Sequence, residues 1–336
     1  MRVSWRQRIR FALAELLYGS GRSRRRVAPA LRRRRPHVVY VLGLHRVLSP
    51  EQERQAHSLP GMVMRAPTFA RLLEFLVQNF RVLSLDEFLS GDFEPRDGRP
   101  ACLITFDDGW RDNYTVAFPL LQQYRLPATI FLATGFIGTD RTFWPEQLIR
   151  AWPDPVLRER IRQRAATAGG TAHKELEALI ESLKHRPAAR REEILQPLAE
   201  TVGGANGDAL LSWEEAAEMA RAGIRFGSHT VTHPLLTYED EATVRYELSV
   251  SRQQIEAKLQ QPVRAFAYPN GDWNPQVRQR VQDAGFECAF TVRSGVHRAD
   301  DDPLTVRRFL FHEGCVVGRD GNFSAAVTRF RLAWGR

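Results

Sequence analysis

The chain has 336 residues, 43% of them apolar, enough material for one large domain or two modest ones. Lys and Arg number 48 against 39 Asp and Glu, but residues 1–36 alone hold twelve arginines and one acid, Glu15, leaving 36 basic and 38 acidic side chains on the other 300. A surface built throughout for polyanions is thereby excluded, and three scattered cysteines without CxxC spacing exclude a disulfide framework or a cysteine zinc site.

The basic arm, 1–36, comes first. Its apolar run Phe11–Tyr18 spans eight residues and contains Glu15, too short for a membrane-spanning helix and too polar for a signal-peptide core. Ile9, Phe11, Leu13, Leu16 and Leu17, followed by arginine clusters at 22–26 and 32–35, suit an amphipathic segment on an anionic membrane surface. A disordered arginine-rich tail fits the same composition. Specific nucleic-acid binding is not expected, because the body shows no helix-turn-helix, zinc finger or basic sheet interleaved with aromatics.

From Val38 onward strand and helix patterns alternate. A strand begins at Val38–Leu42 and ends at His45; a helix opens at Pro67 with Phe69, Leu72, Leu73 and Leu76 at core spacing. Ser84 and Glu87 form a capping box for another. Ala101–Phe106 reads as a buried strand, a helix runs through Leu120 and Leu121, and Ala128–Ala133 is a further strand. Residues 145–212 break the rhythm: rich in Ala, Arg, Glu and Leu, they predict a helical insertion with charged, exposed faces. Alternation resumes with a capping box at Ser212. Then come strand Ile224–Gly227, a helix over about 240–260, strand Arg264–Tyr268, a helix at 274–284, and strands near 287–292 and 304–311. The pattern predicts an α/β fold with a parallel sheet or barrel over 37–320, followed by a tail at 321–336.

Polar residues of catalytic type gather where strands end: His45; Asp107, Asp108 and Gly109; Ser228, His229 and His233; and Tyr268 to Asp272. In a parallel barrel these ends share one face, where active sites are built. Adjacent Asp107 and Asp108 repel unless a cation separates their roles, although an N-capping aspartate beside a solvated neighbour fits equally well. The H-x3-H spacing of His229 and His233 lets both imidazoles reach one ion in a tight turn; two unrelated polar histidines are the plainer reading of that spacing alone.

Taken together, these segments resemble the polysaccharide deacetylase family, the NodB-homology domain of carbohydrate esterase family four. Thr105-Phe106-Asp107-Asp108-Gly109 is similar to its first motif, and Ser228-His229-Thr230-Val231-Thr232-His233 to its second. Phe266 to Gly271 resembles the third motif of exopolysaccharide-type members, and Leu44-His45-Arg46-Val47 their YHRV segment. The resemblance implies a distorted (β/α)7 TIM-like barrel that removes N-acetyl groups from the amino sugars of a polysaccharide or glycan precursor. It implies Asp107 as general base, Asp108, His229 and His233 as ligands of a divalent metal, zinc first with cobalt, nickel or manganese able to serve, and Tyr268 and Asn270 as substrate contacts. Two departures stand out. The arginine that pairs with the base in the usual third motif is replaced by Ala267, so a substitute cation is expected, with Arg308 and Arg111 as candidates. For the general acid, His45 competes with His312 of the Leu310-Phe311-His312 triplet, and His45 is the choice because it stands at a strand end on the predicted rim. Trp110, Trp144 and Trp273 are candidates for sugar stacking or core; His37, His57, His173, His185 and His297 are expected in solvent. A barrel that binds carbohydrate without catalysis is the alternative, and the expected location is the cytoplasm or the inner membrane surface.

Overall fold

The computed structural model describes residues 38–167, 176–201 and 207–334. The arm, His37 and His173 lie outside the described residues. In chain order the strands are β1 (Val38–Leu44), β2 (Arg46–Leu48), β3 (Val63–Arg65), β4 (Arg81–Leu83), β5 (Ala101–Phe106), β6 (Thr129–Leu132), β7 (Arg225–Ser228), β8 (Ala265–Ala267), β9 (Cys288–Phe290), β10 (His297–Arg298) and β11 (Phe309–Leu310).

Strands β1, β5, β6, β7, β8 and β9 lie side by side and parallel. β4 pairs with the first half of β5, and β6 takes over at Thr105. On the other edge of β1, β10 pairs antiparallel at Val38–Val39 and β11 parallel at Leu42–Gly43. Phe290 of β9 bridges Val306, so the segment from Val306 to Leu310 carries the sheet round to β1. This is the distorted (β/α)7 barrel that the motifs implied, closed by one bridge and a two-residue strand.

Helices cover the outside and side chains fill the inside, so β1 and β5 are buried along their whole length, as parallel strands with two covered faces are. Alternation then divides the core. Tyr40, Leu42, Leu44, Cys102, Ile104, Phe106, Ile130 and Leu132 pack toward the helices, with Phe69, Leu72, Leu73 and Leu76 of the helix Ala66–Asn79. Val39, Val41, Ala101, Leu103, Phe131, Ala265, Ala267 and Phe290 make a second cluster on the opposite face. Both capping boxes form as read, Ser84 with Glu87 and Ser212 with Glu215.

Between β6 and β7 the chain adds four helices, Trp144–Ala151, Pro155–Thr167, Leu176–Lys184 and Ala188–Thr201. They have a core of their own, including Leu148, Ile161, Leu179, Ile180, Leu183, Ile194 and Leu198. The long strand read at 304–311 is instead a 3-10 turn at Pro303–Thr305 followed by β11. β2, β3, β4 and β10, of two or three residues each, are too short to show alternation. Residues 325–334 form a helix that buries Leu332 in the main core.

Candidate active site

Past β5 the chain turns sharply: Asp108 and Gly109 both adopt positive φ, 77° and 82°. A Cβ on Gly109 would stand 2.7 Å from Leu132 Cδ2, so only glycine fits the turn. Asp107 continues the inward series of Ala101, Leu103 and Thr105, while the left-handed turn aims Asp108 toward the β7 loop. The indole N–H of the fully buried Trp110 donates to Asp108 Oδ2 at 2.8 Å, leaving Oδ1 toward the histidines. Trp110 is thus a core residue at the floor of the cleft that orients a carboxylate.

After β7, Thr230 and His233 also take positive φ, 71° and 59°. The loop is held by Glu247 of the helix Glu241–Leu259. Its buried carboxylate accepts from the N–H groups of Val231 at 2.6 Å and Thr232 at 2.9 Å, and from Thr232 Oγ1 at 2.6 Å. His229 donates from Nδ1 to the Ala267 carbonyl at 2.7 Å, which assigns the ring proton and leaves the Nε2 lone pair free. The Nε2 atoms of His229 and His233 are 3.2 Å apart, and each is 3.5 Å from Asp108 Oδ1. Tetrahedral N and O ligands at about 2.1 Å from an ion stand about 3.4 Å from one another. The three atoms therefore have the spacing of one face of a tetrahedral divalent site, and this is the candidate metal group among the described residues.

Arg308 arrives on the closing segment. Its Nη1 and Nη2 donate to the two oxygens of Asp107 at 2.7 and 2.8 Å, Nη1 also to Thr105 Oγ1, and Nε to the Thr291 carbonyl at 2.9 Å. Burial opposes ionisation of Asp107, yet the guanidinium holds its carboxyl well below the usual range. Asp108, buried and facing Asp107, is pushed up to about 7. Arg308 fills the place of the missing arginine; the other candidate, Arg111, is exposed and pairs with Glu215 at 2.8 Å. His45 Nε2 lies 3.9 Å from Asp107 Oδ2, with burial lowering His45 to about 4.

The cleft over this group is lined by His45, Asp107, Asp108, His229, His233, Asn270 and, from the insertion, Trp144, Glu146, Ile180, Lys184 and Arg191. The insertion therefore supplies a wall of the site, which its charge-rich sequence does not reveal. Burial pushes Glu146 up to about 8. Tyr268 requires a correction: it is fully buried, its ring packs on Phe266 and its hydroxyl donates to the Leu304 carbonyl at 3.0 Å, so it cannot meet substrate. Asn270, exposed and with φ of 57°, does face the cleft. His312 caps the short helix Glu313–Val316 and is not part of the lining. Trp273 packs against the core. His297 is buried beside Phe88 and Phe93, and His57 Nδ1 meets Asp208 at 3.0 Å, so neither is simply solvated. Asp208 in turn belongs to a buried cluster in which Arg46 pairs with it and with Asp112 and stacks 4.2 Å from the Trp110 centroid.

Fold and site together define a class: a parallel α/β barrel with a compact Asp–His–His donor group and an ion-paired second carboxylate where its strands end. The sequence profile of the polysaccharide deacetylase family matches residues 95–289, and the chain belongs to that family. YxkH of Bacillus subtilis (strain 168), whose name proposes a polysaccharide deacetylase, is 22% identical over 212 residues, which cover 63% of this chain and 52% of that protein. The chain thus spans about half the length of that curated relative. Deacetylase PplD of Streptococcus pyogenes, solved in complex with acetate, superposes with a TM-score of 0.55 at 22% identity, covering 82% of this chain and 93% of that one. IcaB from Ammonifex degensii gives 0.54 at 22% identity, with 82% and 92% covered. A de-N-acetylase from Aggregatibacter actinomycetemcomitans gives 0.57 at 14%, with 87% and 99% covered. Likeness at these identities is likeness of fold.

Proposed function

We propose that the chain is a metal-dependent hydrolase that removes N-acetyl groups from the amino sugars of a glycan, of the exopolysaccharide type. The observation that carries this reading is the convergence of Asp108, His229 and His233 at ligand spacing beside an ion-paired Asp107. A divalent cation held there, zinc first, supplies polarisation of the amide carbonyl and a water made acidic enough to deprotonate near neutral pH. Asp107, kept ionised by Arg308, takes that water's proton as general base. His45 enters the cycle neutral and stands 3.9 Å from Asp107, so its Nε2 takes from Asp107 the proton won from water and hands it to the departing amine nitrogen, returning both groups to their starting forms. Asn270 offers its amide to a sugar hydroxyl at the mouth of the cleft. Acetate bound in the Streptococcus pyogenes relative and the de-N-acetylase name of another fit the same product and bond.

The test is acetate release from N-acetylglucosamine oligomers and from lipid-linked acetylated sugars. Release is expected to stop with a chelator, to return with zinc and to be absent in Asp108→Ala. Release that survives chelation overturns the reading, and so does parent-like turnover in Asp107→Asn.

A further inference from the structure

Arg191 is a buried cation on the cleft wall that forms no ion pair among the described residues. On the helix Ala188–Thr201, it is 4% exposed and lines the cleft with Trp144. Its guanidinium lies 5.4 Å from the Trp144 ring centroid, and no carboxylate of the described residues forms an ion pair with it. Glu239 and Glu192 act on it only from a distance, and Glu239 Oε1 already accepts from the Ala188 N–H at 2.7 Å. Burial pushes Glu146, on the same wall, up to about 8, which disfavours a countercharge there. A second cation, Lys184, lines the cleft nearby, 3.5 Å from Asn270 Oδ1 and 3.5 Å from Glu181 Oε2. A buried, unpaired guanidinium is unfavourable unless a ligand completes it.

We propose that this wall is an oxyanion subsite, in which Arg191, stacked on Trp144 and supported by Lys184, receives a carboxylate or phosphate ester carried by the glycan beside the acetamido group. The planar guanidinium fork matches either group at two points, and Trp144 holds its plane while offering a face to a sugar ring. The substrate is then an acidic glycan or a phosphate-linked precursor. Calling the ligand a glycan rests on the hydrolase reading above; the binding itself does not.

The test therefore reads binding and not turnover. Glucuronate, glucose 1-phosphate and glucose are titrated calorimetrically into the full chain, once zinc-loaded and once stripped by a chelator. At least one anion is expected to bind the stripped protein about tenfold or more tighter than glucose, and the preferred anion identifies the substituent. Arg191→Gln is expected to abolish the preference and Arg191→Lys to retain part of it. If Arg191→Gln does not fold, as thermal unfolding will show, Arg191→Lys and Lys184→Gln carry the comparison, each weakening the preference. Equal binding of the three sugars overturns the subsite. So does a preference that disappears with the chelator, which would belong to the metal, or one that survives in Arg191→Gln. Absence of acetate release would count against the hydrolase and leave the subsite standing.

Discussion

Asp107 and Arg308 are both buried, and each oxygen of the carboxylate has its own N–H donor. A pair of this kind adds little net stability, because desolvating two charges offsets their attraction; what it secures is an ionised carboxylate, the proposed base, where solvent is excluded. Removing one partner is different. Arg308→Ala strands a buried carboxylate and is expected to lower stability by about 3–5 kcal/mol in urea unfolding. Turnover should fall about a hundredfold or more as the base loses its ionised form at neutral pH. Arg308→Lys offers one contact for two and should lie between the parent and alanine in both measurements. A parent-like rate in Arg308→Ala would show that Asp107 does not depend on it. Glu146 is the opposite case, a carboxyl that burial keeps protonated. Folding raises its pKa from 4.5 to about 8, so between those values the folded chain retains a proton that the unfolded chain has released. Stability is therefore lost as pH rises through that window. In chelator-treated protein, Glu146→Gln should gain on the parent between pH 5 and pH 8 by on the order of a few kcal/mol in urea unfolding. A difference that stays flat with pH would mean that Glu146 is ionised throughout.

At the scale of elements, the decisive coupling joins the helix Glu241–Leu259 to the loop after β7. Two residues of that loop hold positive φ, strain that persists only where surrounding bonds over-determine it, and Glu247 supplies three of those bonds. Glutamine at 247 presents an amide nitrogen where an accepting oxygen is needed, so one or two of the loop's donors lose their partner. Glu247→Gln is expected to weaken zinc binding about 10–100-fold in competition with a chelator, as loss of an outer support does at metal sites, while the barrel remains folded. Unchanged zinc affinity would show that the loop holds its shape without the helix. The sequence reveals the two sides of this coupling unequally. His229 and His233 are legible through the Ser228–His233 motif taken together with Asp107 and Asp108, which their spacing alone does not give, and the barrel strands because burial on two faces makes them almost continuously apolar. Glu247 sits on the buried stripe of Val244, Leu248, Ser251 and Ile255, and an acid in that register is the one signal of its role. Glu146, Lys184 and Arg191 reach the cleft only because the insertion folds back over the barrel, which no local pattern encodes. Tyr268 follows a strand end as the site residues do, but the side on which it emerges is decided by packing against Phe266.

For the whole molecule, the insertion and the arm are two separate departures from a plain barrel. The insertion's charges cover four helices packed on a private core, and its inner wall turns cationic side chains toward the site. The body carries a nearly even balance of acids and bases, whereas 1–36 has a net charge of +11. No helix of the described residues is long and apolar enough to cross a membrane. We propose that the arm attaches the enzyme peripherally to an anionic leaflet, its arginines each contributing about 1 kcal/mol near the surface and Ile9, Phe11, Leu13, Leu16 and Leu17 adding apolar contact. The attraction is electrostatic at long range and screened beyond about 10 Å at 0.1 M salt, whereas the apolar contact is not screened. The full chain is thus expected to co-sediment with phosphatidylglycerol vesicles at low salt, to be released in part by high salt, and to ignore vesicles of phosphatidylcholine alone. Residues 37–336 should stay in the supernatant in every case. Equal pelleting with and without the arm would place the attachment elsewhere, and complete release by salt would reduce the arm to a solvated arginine-rich tail.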